Sequence, residues 1–111
     1  NKGATIYGDG LQSRDFVFAH DVAQANLAGG LASLDDSFAA VNIAGGQSIS
    51  ILDLWKLLNE AVGRKTPSPE HLPGREGDIR HSLASIDAAA ATLDWQPRMP
   101  IADGLKLTLG L

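Results

Sequence analysis

The feature that most constrains the fold of this sequence is a helix with recognisable signals at both ends, over residues 51–62. Ser50 can accept a hydrogen bond from the backbone N–H of Asp53, and Gly63 is of the residue type that most often ends a helix. Between these ends, apolar side chains recur at spacings of three and four, at Ile51, Leu54, Trp55, Leu58 and Val62. The pattern predicts an amphipathic helix that packs on a core, with Trp55 inside it rather than against a ligand.

Short β-prone segments alternate with three further candidate helices. The candidate strands lie at residues 4–7, 14–19, 40–44 and 79–83. Asp21 and Ser85 are candidate N-caps of helices that reach about residues 32 and 93, and Pro100 precedes a helix over 101–109. The helix after Ser85 is rich in alanine, so we expect it to lie close against a neighbour. About four short strands with three to four helices predict an α/β or α+β fold.

Length and composition limit the class of protein. With 111 residues, the chain is large enough for one domain with its own core. Hydrophobic residues make up 44% of it, but no apolar run approaches the roughly 18 residues of a membrane span. There is no cysteine, so disulfides and thiolate metal sites are excluded. No signal peptide is visible either. We therefore expect a soluble, cytoplasmic protein.

The charge distribution favours a small anionic ligand over a polymer. A net charge of −4 argues against nucleic-acid binding, which depends on neutralising many phosphates. Four of the nine basic residues nevertheless fall between positions 64 and 80. The three histidines, at positions 20, 71 and 81, lack the spacing of metal ligands, so no metal site is predicted.

Residues 73–80, Pro-Gly-Arg-Glu-Gly-Asp-Ile-Arg, form the candidate binding loop. It follows a segment with three prolines that cannot be a central strand. Guanidinium groups form bidentate hydrogen bonds with phosphates, and a carboxylate accepts hydrogen bonds from sugar hydroxyls. Gly74 and Gly77 permit the backbone conformations that aim these side chains. The loop could hold a nucleotide, while a solvated turn with three surface charges is the alternative at this point.

Gly8-Asp9-Gly10 resembles the beginning of the dinucleotide-binding fingerprint, G-x-G-x-x-G. Ser13 replaces the last glycine, and a strand-like segment follows it. The fingerprint requires a helix N-terminus for the pyrophosphate. We therefore predict no cofactor site within these residues.

Five motifs occur in the order found in one enzyme family. They are Ile6-Tyr7-Gly8-Asp9-Gly10-x-Gln12-x-Arg14-Asp15-Phe16-Val17, Asp21-Val22-Ala23-x-Ala25, Asn42-Ile43-x-Gly45, Arg75-x-Gly77-Asp78-Ile79-Arg80 and Leu93-x-Trp95-x-Pro97. The chain thereby resembles the NAD-dependent nucleotide-sugar epimerases and dehydratases, which are extended short-chain dehydrogenase/reductases of Rossmann type. The likeness is greatest to the carboxyl-terminal third of UDP-glucose and UDP-N-acetylglucosamine 4-epimerases. Arg80-His81-Ser82 points slightly to the hexosamine enzymes.

The resemblance implies roles for five residues in binding a UDP-sugar. Thr5 and Tyr7 would lie along the base, with the Tyr7 ring packed on it and backbone groups making the polar contacts. Arg14 and Arg75 would clamp the diphosphate, and Asp78 would accept from the ribose hydroxyls. Two guanidinium groups from separate loops offer a diphosphate more donors than either does alone.

Other positions allow alternatives or depart from the family pattern. Arg80 could contact the ligand or form an ion pair with a carboxylate such as Asp15 or Glu76. Gly45 stands where the family has threonine, which leaves the exact substrate open. Asp94 occupies a helix end where glycine is common, although aspartate tolerates the left-handed conformation.

The family's catalytic motif is not found in these residues. The resemblance implies a Tyr-x-x-x-Lys motif and bound NAD, but Tyr7 is the single tyrosine and Leu11 follows it four residues later. We therefore expect a catalytically inactive substrate-binding portion that lacks the dinucleotide-binding domain, and a first residue other than methionine fits a piece of a longer protein. The alternatives are a non-enzymatic binding or assembly module and a half-enzyme completed in trans. Apolar surface without the missing domain would promote self-association.

Overall fold

The computed structural model describes residues 2–35 and 38–111, and these contain four strands and four helices. The strands are β1 (Thr5–Tyr7), β2 (Ser13–Asp15), β3 (Ser48–Ser50) and β4 (Glu70–Leu72). The helices are α1 (Ala19–Leu31), α2 (Ile51–Val62), α3 (Asp87–Leu93) and α4 (Ile101–Thr108). The predicted mixed α/β class is confirmed.

The strands form two small sheets. β1 pairs in parallel with β4, so that Tyr7 lies opposite Leu72. β2 pairs antiparallel with β3, and an isolated bridge joins Ser13 to His81. Because β1 and β4 run in the same direction, the chain leaves both at the same end, where the Gly8 N–H donates to the Leu72 carbonyl at 2.8 Å. This pairing places residues 73–80 beside the end of β1.

Helix α2 confirms the predicted capping residues. The Ser50 hydroxyl accepts from the Asp53 N–H at 3.0 Å, and Gly63 ends the helix at φ 68°. Asp94 also takes the predicted left-handed conformation, at φ 50°, after α3. The apolar side of α2 packs against α4, but Trp55 is half-buried and no residue of α2 is fully buried. The apolar side of α2 is therefore only partly buried.

The predicted N-caps of α1 and α3 are wrong. α1 begins at Ala19, two residues before Asp21, and α3 begins at Asp87, two residues after Ser85. The Asp21 carboxylate is buried and accepts instead from the backbone N–H groups of Arg98 and Met99, at 3.1 and 2.9 Å. Asp21 lies in the first turn of α1, but its carboxylate satisfies the N–H groups of the turn at residues 98–99 instead of those of its own helix.

Three predicted strands differ from the observed ones. Residues 40–44 form no strand within the described part of the chain, although Val41 and Ile43 pack against the helical core. The strand expected at 14–19 is β2, which ends at residue 15, and the strand expected at 79–83 is reduced to the bridge at His81. A β-prone segment becomes a strand only where another strand completes its hydrogen bonds.

The core is small and lies between α1 and α3. It consists of Ala25, Ala89 and Trp95, with the Trp95 indole N–H donating to the Asp21 carbonyl at 2.9 Å. Ala89 is fully buried, which confirms the close packing expected of the alanine-rich helix. The molecule measures 52 × 35 × 16 Å, so it is little more than one layer thick. Within the described ranges, no helix is long and apolar enough to cross a membrane.

Candidate functional site

The candidate binding loop contains a tight turn from Arg75 to Asp78. The Asp78 N–H donates to the Arg75 carbonyl at 3.3 Å, and Gly77 has φ 78°. A positive φ at the third position is the requirement of a type II turn, and glycine meets it without strain. The turn keeps the two side chains predicted to contact phosphate and ribose within four residues of each other.

Arg75 stacks on Tyr7. Its guanidinium carbon lies 4.0 Å from the centroid of the tyrosine ring, within the range of a cation–π contact. The backbones meet just beyond these side chains, where a Cβ added to Gly8 would lie 3.8 Å from the Gly74 Cα. Thr5 lies on the same strand as Tyr7 and is exposed. The β1–β4 pairing thus brings the strand predicted to contact the base next to Arg75, which is predicted to bind the diphosphate.

Arg14 and Asp78 form an ion pair. The Arg14 Nη2 atom donates to Asp78 Oδ1 at 2.6 Å, and the Arg14 Nη1 atom donates to the Ser13 carbonyl at 2.7 Å. The two side chains are partly exposed, at 28% and 37%. Arg14 therefore reaches the same turn that carries Arg75, although it belongs to a different sheet.

A second ion pair joins the same two segments, between Arg80 and Asp9. Both guanidinium nitrogens of Arg80 donate to the Asp9 carboxylate, at 2.7 and 2.9 Å. The Arg80 hydrogen bond lowers the pKa of Asp9 to about 2 from 3.8 and raises the pKa of Arg80. Of the two alternatives for Arg80, the structure contains the ion pair, but its partner is neither Asp15 nor Glu76.

Several polar contacts at this site were not foreseen from the sequence. Gln12 is buried and donates through Nε2 to the Tyr7 carbonyl at 2.9 Å, which fixes the end of β1. The Nδ1 atoms of His71 and His81 lie 2.7 Å from the Gly8 carbonyl and 2.8 Å from the Ser13 hydroxyl. Gln12 belongs to the first of the five family motifs, and this was the sequence signal that could have identified its role.

Asp15 also has a structural role that the sequence did not reveal. Its carboxylate accepts from the N–H groups of Gly45 and Gly46, at 2.6 and 3.0 Å, and from Ala84 at 3.5 Å. These bonds tie two distant parts of the chain, residues 45–46 and residue 84, to the end of β2. Asp15, which follows Arg14 in the sequence, therefore stabilises the surrounding fold through donors that lie outside the binding loop.

The arrangement offers two guanidinium groups, a carboxylate and an aromatic ring on one surface, which suits a nucleotide diphosphate. It lacks the geometry by which the dinucleotide-binding fingerprint holds NAD, because Gly8-Asp9-Gly10 leads into β2 and not into a helix. Among residues 2–35 and 38–111, no three histidine or carboxylate side chains are grouped so that they could hold a metal ion.

No protein-family model matches the chain, but individual proteins do. UDP-glucuronate 4-epimerase of Thermodesulfobacterium geofontis is 34% identical over 110 residues, which are 97% of this chain and 32% of that protein. UDP-glucose 4-epimerase of Mycolicibacterium smegmatis is 37% identical over 105 residues, which are 94% of this chain and 32% of that protein.

Solved structures agree with the sequence comparison. The crystal structure of UDP-glucose 4-epimerase from Thermotoga maritima with UDP-glucose matches at a TM-score of 0.88 and 34% identity, over 98% of this chain and 34% of that chain. This chain is homologous to the nucleotide-sugar epimerases. It spans about a third of the length of these relatives and corresponds to their carboxyl-terminal part. The UDP-N-acetylglucosamine 4-epimerase of Methanobrevibacter ruminantium, solved with UDP-N-acetylmuramic acid, matches equally well in fold, at 0.88 and 30% identity.

Proposed function

We propose that residues 1–111 form the UDP-sugar-binding part of an NAD-dependent 4-epimerase. The observation that carries this proposal is the meeting of Tyr7, Arg14, Arg75 and Asp78 through a cation–π contact and an ion pair. The family relationship supports it, because the Thermotoga maritima relative was solved with UDP-glucose. The five site residues identified from the sequence keep their proposed roles.

In this proposal, the base lies along β1. The strand pairs with β4 on one side, and the Tyr7 carbonyl accepts from Gln12, so the remaining backbone groups of its other edge are left for the base. The Tyr7 ring packs against the base, and Thr5 lies beside it. An aromatic surface and an unpaired backbone edge together provide stacking and hydrogen bonds.

The diphosphate lies between the two guanidinium groups. Arg14 is held by Asp78 and Arg75 by Tyr7, so both are ordered before the ligand binds. A guanidinium has five N–H donors, and Arg14 can therefore keep a bond to Asp78 while it binds phosphate. Asp78 has a second carboxylate oxygen for the ribose hydroxyls. Such preorganisation lowers the entropic cost of binding.

The contribution of these residues to epimerisation is to hold the nucleotide while the sugar turns. When bound, NAD would supply the removal and return of a hydride at C4 of the sugar. We expect no NAD site within these residues, so no chemical step is assigned to them. We expect the 111-residue chain to bind UDP-sugars and to leave UDP-glucose unchanged when NAD is added, because the single tyrosine is followed by Leu11 and not by lysine at the required spacing.

Calorimetric titration with UDP tests the binding proposal. We expect heat from the native chain and at least a roughly tenfold weaker affinity for Arg75→Ala, since a charge-assisted hydrogen bond contributes about 1.5–3 kcal/mol. Arg64→Ala is the matched control, because Arg64 is an exposed arginine after α2, away from this turn. Equal affinities for all three proteins, or no heat at all, would instead favour a non-enzymatic module that lost its ligand.

A second measurement addresses catalysis. Purified chain is incubated with UDP-glucose and NAD, and the appearance of the C4 epimer is followed by chromatography against a sample without protein. Epimer formation would show that the chain is a complete enzyme. Activity that appears only after a second polypeptide with a dinucleotide-binding domain is added would support completion in trans.

A further inference from the structure

Gly8, the residue after β1, is bonded to β4 through both of its backbone polar groups. Its N–H donates to the Leu72 carbonyl at 2.8 Å, and its carbonyl oxygen lies 2.7 Å from Nδ1 of the His71 ring. The first bond extends the pairing of the two strands, whereas the second depends on one side chain. The function proposed above gives His71 no role, although its ring bonds the turn that adjoins the site.

The bond to Gly8 determines where the His71 ring carries its proton. A carbonyl oxygen can only accept, so Nδ1 is the donor. A neutral imidazole has a single N–H group, which leaves Nε2 unprotonated. Free histidine in water favours the opposite tautomer, and the His71 side chain is exposed to solvent. We therefore attribute the Nδ1–H tautomer of His71 to its contact with Gly8.

Gly8 requires bonds from outside the turn because its own backbone has little conformational preference. Its φ of 84° lies in the left-handed region, which glycine enters and leaves at low cost. The peptide group that joins Gly8 to Asp9 is therefore free to rotate unless other groups hold it. The His71 bond is made to the carbonyl oxygen of this peptide group. It thereby fixes the direction in which the chain leaves β1.

The turn held by His71 lies between two residues of the proposed site. Tyr7 immediately precedes Gly8, and a Cβ added to Gly8 would lie 3.8 Å from the Cα atom of Gly74, the residue before Arg75. The Arg75 guanidinium carbon lies 4.0 Å from the centroid of the Tyr7 ring. Because a cation–π contact is lost beyond about 6 Å, this stacking requires a fixed separation between the end of β1 and the binding loop.

We propose that His71 is a positioning residue of the UDP-sugar site. Its Nδ1–H holds the Gly8 carbonyl, and the turn held in this way keeps Arg75 stacked on Tyr7. The inference rests on the proposed function and adds a residue that acts through Gly8 and not on the nucleotide. Without the bond, the ligand has to restore the stacked arrangement when it binds. The loss of affinity is then limited to about the contribution of one hydrogen bond.

Nuclear magnetic resonance tests the position of Arg75 without any ligand. Protons of the Arg75 side chain that lie over the face of the Tyr7 ring are shifted upfield by its ring current. We expect this upfield shift to decrease in His71→Ala and to remain in His71→Asn, because the asparagine amide can donate from the place of Nδ1. His20→Ala is the matched control, since His20 is an exposed histidine on α1. An unchanged shift in His71→Ala overturns the proposal.

The tautomer of His71 is a second spectroscopic test. Nitrogen spectra at about pH 9, where histidine side chains are ordinarily neutral, distinguish the protonated ring nitrogen from the unprotonated one. We expect the proton of His71 on Nδ1, as the bond to the Gly8 carbonyl requires. A proton on Nε2 would mean that this bond does not form in solution and would overturn the proposal.

Calorimetric titration with UDP measures the effect on binding. We expect a roughly three- to tenfold weaker affinity for His71→Ala, and native affinity for His71→Asn and His20→Ala. Circular dichroism checks that the variants retain the native helix content. Native affinity in His71→Ala overturns the proposal, and so does an equal loss in His71→Asn, because the N–H donor is then not the cause. If the native chain binds no UDP while the Arg75 shift responds as expected, the proposed function fails and the control of His71 over the stacked pair stands.

Discussion

The Arg75 guanidinium carbon lies 4.0 Å from the centroid of the Tyr7 ring, although the two residues are 68 positions apart in the sequence. The parallel pairing of β1 with β4 makes this contact possible, because it sets Tyr7 opposite Leu72, just before the binding loop. The contact fixes the orientation of Arg75, the proposed phosphate-binding residue, relative to the Tyr7 ring. This contact is one of the two on which the proposed nucleotide site depends, and the other is the ion pair of Arg14 with Asp78.

Replacing Tyr7 tests whether its ring contributes to binding. Tyr7→Ala should weaken UDP binding about tenfold or more, because stacking of a base on an aromatic side chain contributes roughly 1–3 kcal/mol. Tyr7→Phe keeps the ring and the contact with Arg75, and should bind UDP about as the native chain does. Calorimetry compares the three proteins. An equal loss for both variants would assign the effect to the hydroxyl instead of the ring.

The pair of Asp9 and Arg80 should stabilise the fold in a pH-dependent way. Hydrogen bonding to Arg80 lowers the pKa of Asp9 to about 2 in the folded chain, below the ordinary 3.8. The stabilisation is therefore fully present above pH 3.8 and is lost as the pH falls toward 2. Asp9→Asn keeps an acceptor for the Leu11 N–H, which donates to the Asp9 carboxylate at 2.9 Å, and removes the charge together with one of the two acceptor oxygens for Arg80.

Urea unfolding of the native chain and of Asp9→Asn measures this effect. We expect the native chain to be more stable at pH 7 and the difference to shrink between pH 4 and pH 2. High salt should also reduce the difference at pH 7, because both side chains are about half exposed. A difference that stays constant with pH would mean that the ion pair is not its source.

Gly45 has no room for a side chain. An added Cβ would clash with the Phe16 carbonyl oxygen and lie 2.8 Å from Asp15 Oδ1, which accepts from the Gly45 N–H. We expect Gly45→Ala to lower the free energy of unfolding by about 1–3 kcal/mol, as overpacking does elsewhere. Gly29→Ala is the matched control, since Gly29 is helical with open space around it, and it should be neutral or stabilising by up to about 1 kcal/mol. Chemical denaturation of both variants compares them.

Asp21 should contribute strongly to stability. It is 5% exposed, and its carboxylate accepts from the N–H groups of both Arg98 and Met99. Asp21→Ala leaves these donors without a partner and should cost roughly 2–4 kcal/mol. Asp103→Asn, at an exposed position in the first turn of α4, should change stability little. Thermal unfolding, monitored by circular dichroism, gives the melting temperature of each variant. Equal melting temperatures for the two variants would contradict the prediction.

The parts of the fold that the sequence predicted are those that depend on neighbouring residues. The cap of α2 joins Ser50 to Asp53, three positions apart, and the end of α2 depends on Gly63 alone. The turn at Gly77 likewise needs only the conformational freedom of one residue. Such interactions are visible in a short window, and the structure contains them as expected.

The parts that the sequence did not predict depend on partners far along the chain. Asp21 looked like a helix cap, but its acceptors were required by a turn 77 positions away. Residues 40–44 have the composition of a strand and find no strand to pair with in the described chain. The sequence left open whether Arg80 contacts the ligand or forms an ion pair, and the β1–β4 pairing brings it to Asp9.

By itself, the sequence determined the capped helix α2, the glycine turns and the order of the five family motifs, because these depend on backbone conformation and residue type at short range. Only the tertiary structure decided which charges meet, because Arg14 and Asp78 come together across 64 positions through strand pairing and loop closure. Within the described residues, it also leaves Leu27 and Leu31 of α1 exposed, since burial depends on what packs against a helix and not on the helix alone.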